Sequence, residues 1–145
     1  MDPHSELYQR LQQIYVLLDD GDRRALAAVG LTPTQFTLLK FLDPAQRDGR
    51  PVGRLAELML CTRGNATRLV QRLAEAGLVR TAPDAADHRL VKVFLTGTGA
   101  DRLAAARARH AQANAARFGG LSTREVRQLD DLTATLASHL AKHLE

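Results

Sequence analysis

At 145 residues the chain has the length of one domain and can bury a core without disulfides or a structural metal. A formal charge of +4 and a pI near 9.8 favour a polyanionic partner without requiring one. The lone cysteine, Cys61, excludes an internal disulfide framework. The start MDPHSELYQR lacks the apolar core of a secretory signal, and no apolar run approaches the roughly 20 residues of a membrane span, so a soluble, cytoplasmic protein is expected.

Leu7, Leu11, Ile14 and Leu18 recur at helical spacing and predict an amphipathic helix from about Ser5, with a soft point at Gly21 before helix-prone Arg23 to Val29. Thr32-Pro33-Thr34-Gln35 follows in capping-box order and opens a second helix. Phe36, Leu38, Leu39 and Leu42 form its buried side, and Asp43-Pro44 stops it. After a loop from Ala45 to Pro51, a helix from about Gly53 to Leu60 turns Leu55, Leu58 and Met59 inward, and Cys61-Thr62 makes a turn. With Thr62 as N-cap, the next helix lines up Ala66, Leu69, Val70 and Leu73 on one side. It presents Arg63, Thr67, Arg68, Gln71 and Arg72 on the other, and Gly77 closes it. Leu78 to Thr81 and Leu90 to Leu95 have strand character, and the polar loop Ala82 to Arg89 between them is expected to project as a mobile tip. Thr96 caps an alanine-rich helix to about Phe118, Gly119-Gly120 breaks it, and Ser122-Thr123-Arg124-Glu125 forms a second capping box. Val126, Leu129, Leu132, Leu136, Leu140 and Leu144 mark the apolar side of the last helix.

This order predicts a mainly α fold with a small β-hairpin wing: a winged helix-turn-helix over residues 31–97, and a helical lobe from 1–30 and 98–145. Six cationic residues against three acidic ones lie between Cys61 and Leu95, so much of the basic surplus falls in the candidate reading head. The terminal helices carry apolar stripes with no sheet of their own to cover. That implies packing among themselves and against a second copy, and two reading helices about 34 Å apart would meet successive major-groove faces of a palindrome. Catalysis is not expected, since the chain has no glycine-rich phosphate loop, no GxSxG elbow and no metal-ligand cluster around a base. No cofactor is implied.

The ordered set of LTPTQFTLLKFL, Thr67 to Leu73, Gly77-Leu78-Val79-Arg80, the Asp87-x-Arg89 wing and Leu95-Thr96 with Gly99 resembles the multiple antibiotic resistance regulator (MarR) family of winged helix-turn-helix transcription factors over nearly the whole chain. The resemblance implies a homodimer joined through its terminal helices that binds a palindromic double-stranded DNA operator, most often as a repressor. It assigns Thr62, Arg63, Asn65, Thr67 and Arg68 to the major groove, with Arg72 on the same face. It assigns Arg89 to the minor groove and makes Asp87 the carboxylate that steadies it. Arginine can bridge guanine O6 and N7, and a narrow minor groove attracts a guanidinium. His88, between the two wing residues, is either a further phosphate contact or a solvated bystander, and Gly64 either admits a close backbone approach or is merely permissive.

Three signals remain open. The family's commonest effectors are small aromatic or anionic molecules, for which Tyr15, Arg23, Arg24 and Phe36 are candidate lining residues, although the two aromatics serve equally well as core. Cys61 suits either a redox sensor or a small buried core residue. His139 and His143, at i and i+4, can chelate zinc or another metal from one helix face, or simply lie exposed. The competing reading outside this class is a winged-helix module for protein contacts, with the basic face only solvated.

Overall fold

The computed structural model describes residues 2–45 and 47–143; Met1, Gln46, Leu144 and Glu145 are outside the described residues, and so is the expectation placed on Leu144. Among the described residues, six α-helices and three short strands follow in the order α1 (Pro3–Ala27), α2 (Pro33–Leu42), β1 (Arg50–Pro51), α3 (Val52–Leu58), α4 (Arg63–Glu75), β2 (Val79–Pro83), β3 (Val91–Leu95), α5 (Gly97–Phe118) and α6 (Thr123–Lys142). They form two compact units, one running to His110 and the other starting at Ala111.

Helix α1 begins earlier than expected because the Asp2 carboxylate accepts from the amides of His4 (3.0 Å) and Ser5 (3.1 Å) and Pro3 fills the first helical position. Gly21 does not interrupt it. Ion pairs at i,i+4, Asp19–Arg23 at 2.7 Å and Asp20–Arg24 at 3.1 Å, bracket the glycine on either side and support the helical turn there. The capping box of α2 is complete: Thr32 Oγ1 accepts from the Gln35 amide (3.1 Å) and the Thr32 amide donates to Gln35 Oε1 (3.0 Å). A single 3-10 turn, Asp43–Ala45, ends this segment.

The hairpin expected from sequence is a three-stranded antiparallel sheet in the order β1-β3-β2. In the hairpin Val79 faces Leu95 and Pro83 faces Val91, while Arg50 and Pro51 of β1 face Val93 and Lys92. β1 gave no signal because two residues carry no periodicity, and its proline is tolerable only on an edge strand. Gly49 leads into it at φ +66°, where a Cβ would come within 2.8 Å of the Val93 carbonyl oxygen. Arg50 Nε donates to the Phe41 carbonyl at 2.6 Å and ties the strand back to α2.

The core of the first unit is built from Leu26 of α1, Leu38, Leu39 and Leu42 of α2, Leu55 of α3, Leu73 of α4, Leu78, Val93 of β3 and Leu103 of α5, all with 2% exposure or less. Leu103 and fully buried Ala106 of α5 belong to this core, within the unit that runs to His110. The first part of α5 packs with the reading head rather than with a separate lobe. Its close approach has a local cause: a Cβ at Gly99 would sit 1.9 Å from the Leu78 carbonyl oxygen. Thr96 Oγ1 fastens the same corner by donating to the Gly77 carbonyl (2.7 Å) and accepting from the Gly99 amide (3.0 Å).

Elsewhere the apolar stripes stay open. Leu26 is the only residue of α1 that is buried, while Leu7, Ile14 and Leu17 are 43–64% exposed. In the second unit α6 starts with the predicted capping box of Ser122 and Glu125 yet buries none of its described residues.

Candidate nucleic-acid interface

Helix α4 is positioned by a short turn from α3. α3 ends two residues sooner than expected. Leu60 takes a positive φ of 53°, which costs an L-residue on the order of 1–2 kcal/mol, and turns the chain through Cys61 into Thr62. Thr62 Oγ1 then accepts from the Asn65 amide at 3.1 Å and starts α4. Ala66, Val70 and Leu73 fix the helix in the core, Leu69 is half-buried, and Thr62, Arg63, Asn65, Thr67, Arg68 and Arg72 are exposed. Thr67 Oγ1 donates to the Arg63 carbonyl at 2.9 Å, and Asn65 Oδ1 accepts from Arg68 Nη2. The amide side chain of Asn65 thereby aims the Arg68 guanidinium, a link the sequence did not disclose. At Gly64 an added Cβ would meet nothing within 4 Å, so the fold itself does not demand glycine there.

The wing tip, expected to be mobile, is tied down by a residue the sequence reading passed over. Asp84 is buried, and its Oδ1 accepts from the amides of Ala86 (2.7 Å) and Asp87 (2.9 Å) while its Oδ2 pairs with Lys92 Nζ at 3.2 Å. Those backbone bonds, with Lys92, hold its carboxyl below the ordinary value of 3.8. The Asp84 amide donates to the Leu90 carbonyl at 2.9 Å and closes the loop. The signal available in sequence was the Asx-turn chemistry of Pro83-Asp84 followed by small residues.

On this base Asp87 holds Arg89. Asp87 Oδ1 accepts from Arg89 Nε and from the Arg89 amide, both at 3.1 Å, and Oδ2 from Nη2 at 3.3 Å. The side-chain contact to Arg89 is the main reason the Asp87 carboxyl also titrates below its ordinary value. The Arg89 side chain is 91% exposed, a guanidinium steered by its carboxylate but presented to solvent. His88 is exposed beside it. At the other end of the hairpin Arg80 lies over the Phe94 ring at 4.1 Å, which spends that cation on packing.

The four residues named for an effector separate. Arg23 lines an open cleft of about 550 Å³ in the first unit, walled also by Gln35, Met59, Cys61, Arg68 and Arg72. Tyr15 lines a neighbouring one of about 370 Å³ with Leu18, Pro33 and Met59. Phe36 is 4% exposed, packs at 5.2 Å from the His110 ring and lines neither cleft. It is a core residue, because its place in the first turn of α2 faces α5. Arg24 also lies off both clefts, paired with Asp20. Cys61 is half-buried at the edge of the core.

A helix, a tight turn, a second helix with an exposed cationic face, and a hairpin presenting one arginine define a winged helix-turn-helix protein. A profile of the MarR family matches residues 29–90. Over 100 residues, 68% of its length, the chain is 35% identical to the transcriptional activatory protein BadR of Rhodopseudomonas palustris, and the match spans 57% of that protein. Among solved structures, a MarR-like transcription regulator from Bacillus cereus superposes with a TM-score of 0.83 at 26% identity, covering 94% of this chain and 97% of that one. A cysteine-to-serine mutant of MarR from E. coli, complexed with operator DNA, shares the fold with a TM-score of 0.83 at 24% identity, over 94% and 99% of the two chains. Residues 29–90 of the chain thus match the MarR family, and the Rhodopseudomonas relative and the Bacillus cereus neighbour are both described as transcription regulators. No helix of the described residues is long and apolar enough to cross a membrane.

Proposed function

We propose that the chain is a homodimeric, sequence-specific DNA-binding regulator in which α4 enters the major groove and Arg89 the minor groove of each half of a palindromic operator. The observation that carries this reading is the pairing of two differently prepared arginines: Arg68 aimed by Asn65, and Arg89 held by Asp87 on a wing closed by Asp84. A purely solvated cationic face would have no need of either buttress. Arg63 and Arg72 supply phosphate contacts on either side, and Thr62, Asn65 and Thr67 bring polar groups to the same surface. Dimerisation is supported by the open apolar sides of α1 and α6, which a second copy would cover.

A dimer seated on promoter DNA represses by occupying it, and that is the primary reading. Activation is the second, favoured by the name of the Rhodopseudomonas relative. An effector of small anionic, aromatic character would enter the cleft beside the Asp19–Arg23 ion pair, where Arg68 and Arg72 offer positive charge and Met59 and Leu69 apolar walls. The test is selection of bound fragments from random DNA with the purified protein, followed by affinity measurements on the selected site. Arg89→Ala is expected to weaken binding and Arg68→Ala to relax or abolish sequence choice. Wild-type affinity and selectivity in both variants would refute the reading head. A reporter carrying the selected site at two positions relative to the promoter separates repression from activation.

A further inference from the structure

The last turn of α6 carries two imidazoles that neither the core nor the reading head uses. His139 and His143 lie one helical turn apart, their Nε2 atoms 3.0 Å from each other and their rings crossed at 84°, both exposed. In the absence of metal this distance is met by one Nε2–H donating to the other Nε2. The same distance suits two nitrogens bound to one ion. With metal–nitrogen bonds of about 2.1 Å, nitrogens 3.0 Å apart subtend about 90° at the metal. That is the cis angle of a square-planar or octahedral ion and well short of the tetrahedral angle that four-coordinate zinc prefers.

We propose that His139 and His143 form a bidentate chelate for a tetragonal late first-row dication, Cu²⁺ or Ni²⁺, at the C-terminal turn of α6. Two neutral imidazoles form a ligand set that copper and nickel favour over magnesium, calcium or manganese. The position adds to this, since His143 is the C-cap and a dication there meets the negative end of the helix dipole. The nearby Lys142 ammonium, which shares a shallow depression with Ser138 and His139, opposes the ion, though its flexible stem lets the charge swing away. No cluster of three or more His, Cys, Asp or Glu side chains suited to a metal occurs among the described residues, and the chelate rests on the two imidazoles. Binding requires both Nε2 lone pairs, with each ring carrying its proton on Nδ1, and it therefore weakens in acid as protons compete for the same nitrogens.

The experiment is calorimetric titration of tag-free protein with Cu²⁺, Ni²⁺ and Zn²⁺, repeated on three variants. The expected result is one ion per chain, with Cu²⁺ tightest and Ni²⁺ at least as tight as Zn²⁺. His139→Ala is expected to weaken Cu²⁺ at least tenfold, and His4→Ala, remote in sequence, to leave the titration unchanged. The third variant exchanges two positions, Ala141→His with His143→Ala, which leaves the imidazoles at i and i+2 on opposite helix faces. It keeps composition and helicity, the latter checked by circular dichroism, but destroys the i,i+4 spacing, and it should lose the chelate as fully as His139→Ala. No saturable Cu²⁺ binding by the wild type, or a wild-type isotherm in the exchanged variant, would overturn the proposal. Zn²⁺ binding tighter than both other ions would overturn the tetragonal geometry.

Discussion

Salt provides the most discriminating test of the interface. Arg63, Arg68, Arg72 and Arg89 are exposed on the proposed reading surface, whereas Arg80 is committed to Phe94. Each phosphate neutralised lowers the slope of log K against log salt by about 0.9. Four arginines in a single chain therefore give a slope near −3.6, and the same four in each of two copies a slope near −7, as upper limits. Raising KCl fourfold, from about 50 to about 200 mM, would then cost a lone chain about 150-fold in affinity and a dimer on the order of 10⁴-fold. Fluorescence anisotropy on the selected site across that range reads the slope directly. A value steeper than about −4 requires both copies to engage, and Arg63→Ala, which removes one proposed phosphate contact from each copy, should make the dimer slope shallower by about 2. A slope no steeper than about −2 would refute the seating of these four cations against DNA and favour a module that contacts protein instead.

Gly99→Ala should destabilise the fold by about 1–3 kcal/mol or more, because the new methyl must displace the Leu78 carbonyl now 1.9 Å from its position. Thermal unfolding should show a clear drop for it against little change for Gly97→Ala, which meets nothing within 4 Å. Asn65→Ala should keep the helix and most of the affinity, yet lose part of the roughly 1–3 kcal/mol by which Arg68 discriminates its base pair, measured on single-base operator variants. Asp84 has a folded-state carboxyl pKa below its ordinary value of 3.8, so its contribution to the wing is complete above that value and is lost as the pH falls through the lowered one. The resonance of the Ala86 amide, which donates to Asp84 Oδ1, should therefore shift in acid in the wild type, and Asp84→Asn should remove Asp84's share of that shift and leave only the titration of Asp87.

The parts legible in sequence were those decided within four residues. The caps at Thr32, Thr62 and Ser122 each consist of a hydroxyl and an amide one turn away, and the inward side of α4 follows from the spacing of Ala66, Val70 and Leu73. The parts that were hidden depend on distant partners. β1 exists only because Val93 and Lys92 pair with it, and the order of the wing tip depends on Lys92 reaching back to Asp84. Phe36 and Tyr15 looked alike as candidate lining residues, but helix packing put one at 4% exposure and left the other at 69%. The division of α5 was hidden for the same reason, since an alanine-rich helix announces neither where it meets Leu78 nor where it leaves the core.

The placement of Arg68 and Arg72 bears on how a signal could act. Both belong to the reading helix and both line the cleft with Arg23. A ligand held by these guanidiniums would compete with DNA for the same charges, which requires no change in the spacing of two reading heads. A ligand held by Arg23 and the apolar wall alone would leave Arg68 free for DNA and act only through a difference in affinity between two dimer arrangements. The two cases differ in linkage. Competition drives apparent operator affinity down in proportion to ligand without limit, whereas coupling between separate sites reaches a plateau fixed by the ratio of affinities. Titrating an aromatic carboxylate such as benzoate against a constant amount of bound operator distinguishes them. An unbounded loss that Arg72→Ala weakens would show that the cleft and the reading head are one site, and a plateau at a few-fold change would show that the ligand acts through a site separate from the DNA contacts.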